Sequence, residues 1–266
     1  MTTTHLETAG QIDNVVTVRK VDFFGIPVVD LPMDELVKQV EQRLIRREST
    51  HIVNLNPHHF LIAKNDSEFD QICATGDIVF ADGIGIVLAS IVLKKHILHR
   101  YTGLDVMVKL CTLSAEKHHS IFLLGGQDGI VDQCANYLRE RFPSLTIAGV
   151  YEPPHVGTIE EFDNNEIVRR INNARPDMVF VALGAPKQEK WIERYRSQLN
   201  VPILMGVGGS FDILGGRFSR APHLMRTFGF EWLHRLRVEP RRLAGRYLLG
   251  IPRFILLILR LKARSE

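Results

Sequence analysis

A chain of 266 residues that is 45% hydrophobic and 24% charged has the composition of a folded globular protein, with room for one large core plus a small appendage, which excludes extensive disorder away from the ends. Its three cysteines, Cys73, Cys111 and Cys134, are far apart and include no Cys-x-x-Cys pair, which excludes a disulfide framework, gives no zinc signature and fits a reducing cytoplasm. The net charge of +3 hides an asymmetry: Arg217 to Glu266 carries twelve Lys or Arg against three Asp or Glu, so this basic end points to an anionic partner such as lipid headgroups, a pyrophosphate or nucleic acid.

Residues 1–18 are polar and mixed, without the basic start and apolar run of a signal peptide, and are expected to be a flexible tail. Val21 to Val29 reads as one strand and Met33 to Arg46 as a helix, opened by Asp34 and Glu35 near its positive end. His51 to Leu55 is a second strand; Pro57 then begins a helix through Phe60, Leu61 and Ala63. Ile78 to Phe80 is a short strand that meets Ala81-Asp82-Gly83-Ile84-Gly85, followed by an apolar helix to Leu93. Gly103 to Lys117 is helical by spacing, and Ser120 to Leu124 is a strand that turns at Gly125-Gly126-Gln127-Asp128-Gly129 into a helix from Ile130 to Arg141. Leu145 to Val150 and a helix from Ile159 to Asn172 follow. Two uninterrupted apolar runs, Met178 to Leu183 and Val201 to Met205, then read as strands buried on both faces, with a helix from Lys187 to Gln198 between them. The βα rhythm predicts an α/β domain over 19–222, a Rossmann-like, mostly parallel sheet flanked by helices. No internal repeat breaks it.

In such sheets ligands bind outside the carboxyl ends of the strands, where the glycine turns fall. Gly184-Ala185-Pro186 and Gly206-Val207-Gly208-Gly209 offer backbone N–H groups and a helix start, which suit a phosphate. Each turn alone is also what any α/β fold needs; it is their convergence on one edge that suggests a site. No dinucleotide or P-loop fingerprint is complete, which disfavours NAD and P-loop chemistry. Asp82, between an apolar strand and a glycine pair, is either a partly buried base or an N-cap. Asp105 and Asp212 are as suited to capping or pairing as to chemistry. The adjacent pairs His58-His59 and His118-His119 are expected at the surface, and no Asp-x-Asp marks a metal-bridged diphosphate, so no metal is expected.

The end of the chain, 223–266, reads as a basic amphipathic appendage. Its uncharged run Phe254 to Leu259 is far shorter than the roughly 20 residues that span a bilayer. On a continuous helix Arg246, Arg253 and Arg260 would form one basic stripe, with Phe254 and Leu257 on oily faces, which suits a helix lying in an anionic membrane surface. A terminal helix packed on the body or on another subunit is the alternative, and homo-oligomerisation is left open. The aliphatic run argues against a nucleic-acid surface.

Asn56-Pro57, Ala81-Asp82-Gly83, Gly184-Ala185-Pro186-Lys187-Gln188-Glu189, Gly206-Val207-Gly208-Gly209 with Phe211-Asp212, Arg220-Ala221-Pro222, and Glu231-Trp232-Leu233 with Arg235 occur in order. Through them the chain resembles the WecG/TagA/CpsF family of bacterial glycosyltransferases. The resemblance implies a peripheral enzyme of the cytoplasmic face of the inner membrane, working by inversion without an obligatory metal or other cofactor. It would move a sugar from a UDP-sugar to an undecaprenyl-diphosphate-linked acceptor. It implies that Asp82 is the base, that Arg100 lies near the sugar or diphosphate, that Gln188 contacts the donor, and that Arg235 and Arg242 hold the lipid diphosphate, with Arg220 beside them. With the glycine turns, the expected donor site comprises Asn54, Asn56, Gly83, Gly125, Gly126, Gly184, Pro186, Gln188, Glu189, Gly208 and Gly209. Many family members carry Thr where this chain has Asn54, which weakens any inference about the donor sugar. Rival readings are a non-catalytic nucleotide-binding regulator and a dinucleotide-dependent oxidoreductase.

Overall fold

A computed structural model describes residues 19–263; the expected tail lies outside the described residues. The first correction comes at once. Val21 to Val29 is a hairpin, β1 (Lys20–Phe23) antiparallel to β2 (Ile26–Val29), because Phe24 and Gly25 both take positive φ, 53° and 88°, and reverse the chain in two residues. Asp22 Oδ1 accepts from the Gly25 N–H at 2.9 Å and closes the turn.

Helix α1 (Met33–Ile45) buries Leu36, Val40 and Leu44, one per turn, and leads to β3 (Thr50–Leu55), which is buried throughout. Asn56 caps α2 (Pro57–Ala63) and Asp66 caps α3 (Ser67–Thr75), a helix not expected from the sequence. β4 (Ile78–Ala81), α4 (Ile84–Val92), α5 (Gly103–Lys117), β5 (Ser120–Gly125), α6 (Ile130–Arg141) and β6 (Thr146–Tyr151) follow close to expectation. The helix expected from Ile159 is broken: a short 3₁₀ turn ends at extended Phe162, and α7 (Asn164–Ala174) starts afresh because the Asp163 carboxylate caps it. β7 (Met178–Ala182), α8 (Lys187–Tyr195), β8 (Ile203–Gly206) and α9 (Ser210–Leu214) complete the α/β part.

The eight strands form one sheet in the order β1-β2-β4-β3-β8-β7-β5-β6, parallel except for β1. Alternate residues feed opposite faces. Ile121 and Leu123 of β5, with Met178 and Phe180 of β7, pack under α1, α5 and α6, whereas Phe122, Leu124, Val179 and Val181 pack under α7 and α8. In β3 and β4, Val53, Leu55, Val79 and Ala81 face a third cluster, shared with α2, α3 and α4. The register sets Leu55 beside Ala81 and Val181 beside Gly206, so the strands end nearly flush. Flush ends bring the turns that follow them to one rim.

The basic end folds as α10 (His223–Thr227), α11 (Glu231–Val238), α12 (Pro240–Ala244), a π-helical turn over Gly245–Leu249, and α13 (Gly250–Ala263). Helix α13 packs along α2, with Phe254 and Ile258 buried in the third cluster and the Phe254 ring set edge-on to Phe60 at 5.9 Å. This corrects two expectations: Phe254 is core, not membrane-facing, and Leu257 is partly buried against the same cluster. The stripe of Arg246, Arg253 and Arg260 is also broken. Arg253 and Arg260 are exposed, but the π turn that carries Arg246 changes the helical phase before Arg253, and Arg246 points into the body. Leu248, Leu249, Ile255, Leu256 and Leu259 are exposed, Leu256 to 48%, and Ile255 and Leu259 also border the large cleft described below. No helix among the described residues is long and apolar enough to cross a membrane.

Candidate active site

A cleft of about 2150 Å³ runs along the carboxyl ends of β3, β4, β7 and β8 and is roofed by α11, α12 and the π turn. It is larger than the roughly 300–1,000 Å³ that holds one drug-sized ligand, and so has room for two substrates. Asp82 lies at its base. The Asp82 N–H extends the ladder to the Leu55 carbonyl at 2.8 Å, and Gly83 donates to the Tyr101 carbonyl at 3.0 Å, which fixes the backbone on both sides. Gly83, not Asp82, is the N-cap of α4, so the capping alternative is set aside. Instead Asp82 Oδ2 accepts from Asn54 Nδ2 and Asn56 Nδ2, each at 3.2 Å. Oδ1 has no hydrogen-bond partner among the described residues.

The carboxyl is half-buried but surrounded mostly by protein. That burial raises its pKa above the ordinary 3.8, while Asn56, Arg246, Arg235 and Asn54 pull it back. Asn56 also accepts from the His59 N–H at 3.0 Å, as the cap of α2, and from Arg246 at 3.4 Å. One side chain thus ties the base, a helix start and the π turn.

Of the other expected donor residues, Gly83, Gly126, Gly184, Gln188, Gly208 and Gly209 line the cleft with Asn54 and Asn56. Gly125, Pro186 and Glu189 do not. Gly125 lies just behind the rim, within the β5–β7 ladder, Pro186 is the cap of α8, and Glu189 is fully buried beneath β8. At Gly209 a Cβ would stand 2.6 Å from the Arg235 guanidinium, so a side chain there would have to push that guanidinium aside. That close approach sets Arg235, and Arg242 beyond it, over the β8–α9 turn. Both line the cleft, Arg242 ion-paired to Glu239. Arg220 does not line it and is ion-paired with Asp105 at the start of α5. Arg100 lines the cleft but donates to the Arg226 and Thr227 carbonyls, both at 3.1 Å, and so ties down the end of α10.

Four cleft residues, Arg246, Glu231, His58 and His59, are not legible as such in the sequence. A continuous α-helix would put Arg246 on the membrane stripe, and the π turn, which has no sequence signature, removes it from there. Glu231 contributes a second carboxyl, its pKa raised by burial and by Asp82, against the pull of Arg220 and Arg235. His58 and His59, expected at the surface, are half-buried and buried; burial and then Arg246 lower them to about 4 and about 3, which keeps both rings neutral. His59 Nδ1 donates to the Asn54 carbonyl at 2.6 Å, so it braces the strand end that carries Asn54. Adjacency alone gives no sign of this.

The sequence from residue 21 to residue 266 matches the model of the Glycosyl transferase WecG/TagA/CpsF family. The chain belongs to that family. Among similar proteins are those of Staphylococcus aureus strains NCTC 8325 / PS 47, COL and MRSA252. Each is 30% identical over 249 residues, covering 93% of this chain and 95% of the relative. Each of these relatives is an N-acetylglucosaminyldiphosphoundecaprenol N-acetyl-beta-D-mannosaminyltransferase. The cleft of this family member holds the Asp82 carboxylate at its base, with Arg235, Arg242 and Arg246 around it.

Proposed function

We propose that this glycosyltransferase moves a sugar from a UDP-sugar to a hydroxyl of an undecaprenyl-diphosphate-linked acceptor, with inversion, in the synthesis of a cell-surface polysaccharide. The sugar is an N-acetylhexosamine, its uronic acid or a hexose. The relatives' N-acetylmannosamine transfer onto an acceptor of this kind supports the reading. The observation that carries it is the Asp82 carboxylate, held through Oδ2 by two asparagine amides at the base of a cleft whose roof is arginine-bearing. Asp82 Oδ1 takes the proton of the acceptor hydroxyl as its oxygen bonds to the anomeric carbon, and the bond from that carbon to the UDP oxygen breaks. The amides of the glycine turns after β7 and β8 face the departing diphosphate, and Arg235 and Arg242 take the lipid diphosphate. Arg220 supports that wall through Asp105, and Arg100 holds α10 against it.

An acceptor on a polyprenyl tail stays in its bilayer, so the enzyme works at the cytoplasmic face as a peripheral protein. The exposed Leu248, Leu249, Ile255, Leu256 and Leu259, with Arg253 and Arg260 nearby, suit an anionic surface. In this reading 223–266 is the membrane appendage of a catalytic domain over 19–222. The test is a panel of UDP-sugars with a synthetic lipid-diphosphate acceptor, read by mass spectrometry. One donor should add one sugar to the acceptor. Nucleotide binding without product from any donor would instead favour a regulator.

A further inference from the structure

Glu189 is a buried carboxyl that the transfer reaction does not use. It sits in the first turn of α8, fully inaccessible, and among the described residues its Oε2 has no hydrogen-bond partner, in a position where an unmatched polar atom is costly. Its Oε1 accepts from Gln188 Nε2 at 2.7 Å, and Gln188 Oε1 accepts from the Gly208 N–H at 3.1 Å. This chain of bonds has one direction only. A backbone N–H can only donate, so Gln188 must turn its carbonyl to Gly208 and its NH₂ to Glu189, which must offer an acceptor. Gly206 makes the room: a Cβ there would lie 2.6 Å from Gln188 Nε2 and 2.9 Å from Glu189 Oε1.

We propose that Glu189 is a positioning residue, whose carboxyl fixes the Gln188 amide and through it the Gly208 turn where a nucleotide diphosphate is read; that last clause rests on the function proposed above. Burial pushes the Glu189 carboxyl up to about 7, against the pull of the Gln188 hydrogen bond. The titratable groups that bear on it are Arg246, from the π turn, and Cys73, on α3, and no hydrogen bond joins either to it. Protonated, Glu189 holds the amide without placing a charge under the turn; ionised, it sets a negative charge beneath a site for anions.

The test compares Glu189→Ala and Glu189→Gln in the full chain, by hydrogen exchange at the Gly208 amide and by UDP affinity. The alanine variant should lose about tenfold in protection at Gly208 and in affinity, the equivalent of one hydrogen bond of roughly 1.4 kcal/mol. The glutamine variant, which keeps the acceptor and the shape, should restore both. As pH rises through about 7, UDP affinity should fall in the wild type but not in Glu189→Gln. Unchanged exchange in the alanine variant, or a folded glutamine variant as impaired as the alanine one, overturns the proposal. Superimposed pH profiles overturn it too, and that comparison stands even if the alanine variant fails to fold. The exchange measurement needs no ligand, so a wild type that ignores UDP defeats the donor assignment while exchange still judges Glu189.

Discussion

Removing the Asn54 amide tests whether Asp82 acts as a base and whether its neighbours tune it. In Asn54→Ala the carboxylate keeps Asn56 but loses one of two donors, a contact of 3.2 Å that favours the ionised form. A hydrogen bond to a charged group contributes about 1.5–3 kcal/mol, and the length of this one places it near the lower figure. At 1.36 kcal/mol per unit, roughly 1.5 kcal/mol raises the Asp82 pKa by about one unit. The base must be ionised to accept a proton, so the acid limb of kcat/KM against pH moves up by about one unit while the alkaline plateau holds. Stability should change little, because Asn54 Oδ1 is itself buried without a partner among the described residues and its removal relieves that cost. The assay is initial-rate transfer across the acid limb, with folding checked by thermal melting. A limb that stays in place while the plateau drops would mean that Asn54 touches substrate instead of tuning Asp82.

Asp82→Asn should lower kcat at least about a hundredfold with UDP affinity nearly intact by calorimetry; unchanged turnover removes Asp82 from the chemistry. Phe254→Ala, which opens the packing against Phe60, should cost about 3–5 kcal/mol by denaturant melting, whereas Leu256→Ser on the outer face should leave stability within about 0.5 kcal/mol and weaken sedimentation with anionic liposomes. Equal effects of the two on stability would refute the assignment of faces on α13. Glu189 has a folded pKa of about 7 against an ordinary 4.5, so its contribution to stability is complete below 4.5 and is lost as pH rises through about 7. The melting temperature of Glu189→Gln should therefore gain on the wild type over that interval, and a constant difference would place the carboxyl outside the dry region. Cutting the chain after Phe230 is a poorer test of membrane contact, since it would also strip Phe254 and Ile258 from the core.

The parts of the fold that were legible in the sequence are those fixed by local chemistry. Runs such as Met178 to Leu183, short and closed by a glycine turn, read as strands covered on both sides, and Asn56-Pro57 marks a helix start by capping and by proline's fixed φ. Convergence of the turns followed from parallel topology, and it brought Asp82, Gly184 and Gly208 to one cleft. What escaped depends on partners distant in sequence or on a break in periodicity. Phe24-Gly25 carries no standard hairpin pair, so β1 and β2 read as one strand. The facing of His58, the depth of Glu189 and the inward turn of Arg246 are decided by α13, β8 and the π turn, which no local window contains.

The π turn has a mechanical consequence. It acts as a phase shifter between a guanidinium that lines the cleft and a helix clamped on α2. Deleting or adding a single residue between Gly245 and Leu249 would rotate everything beyond it by about 100°. Either Arg246 would swing out of reach of Asn56, or Phe254 and Ile258 would be thrown into water. The length of this segment is therefore under tighter constraint than the identity of most residues within it.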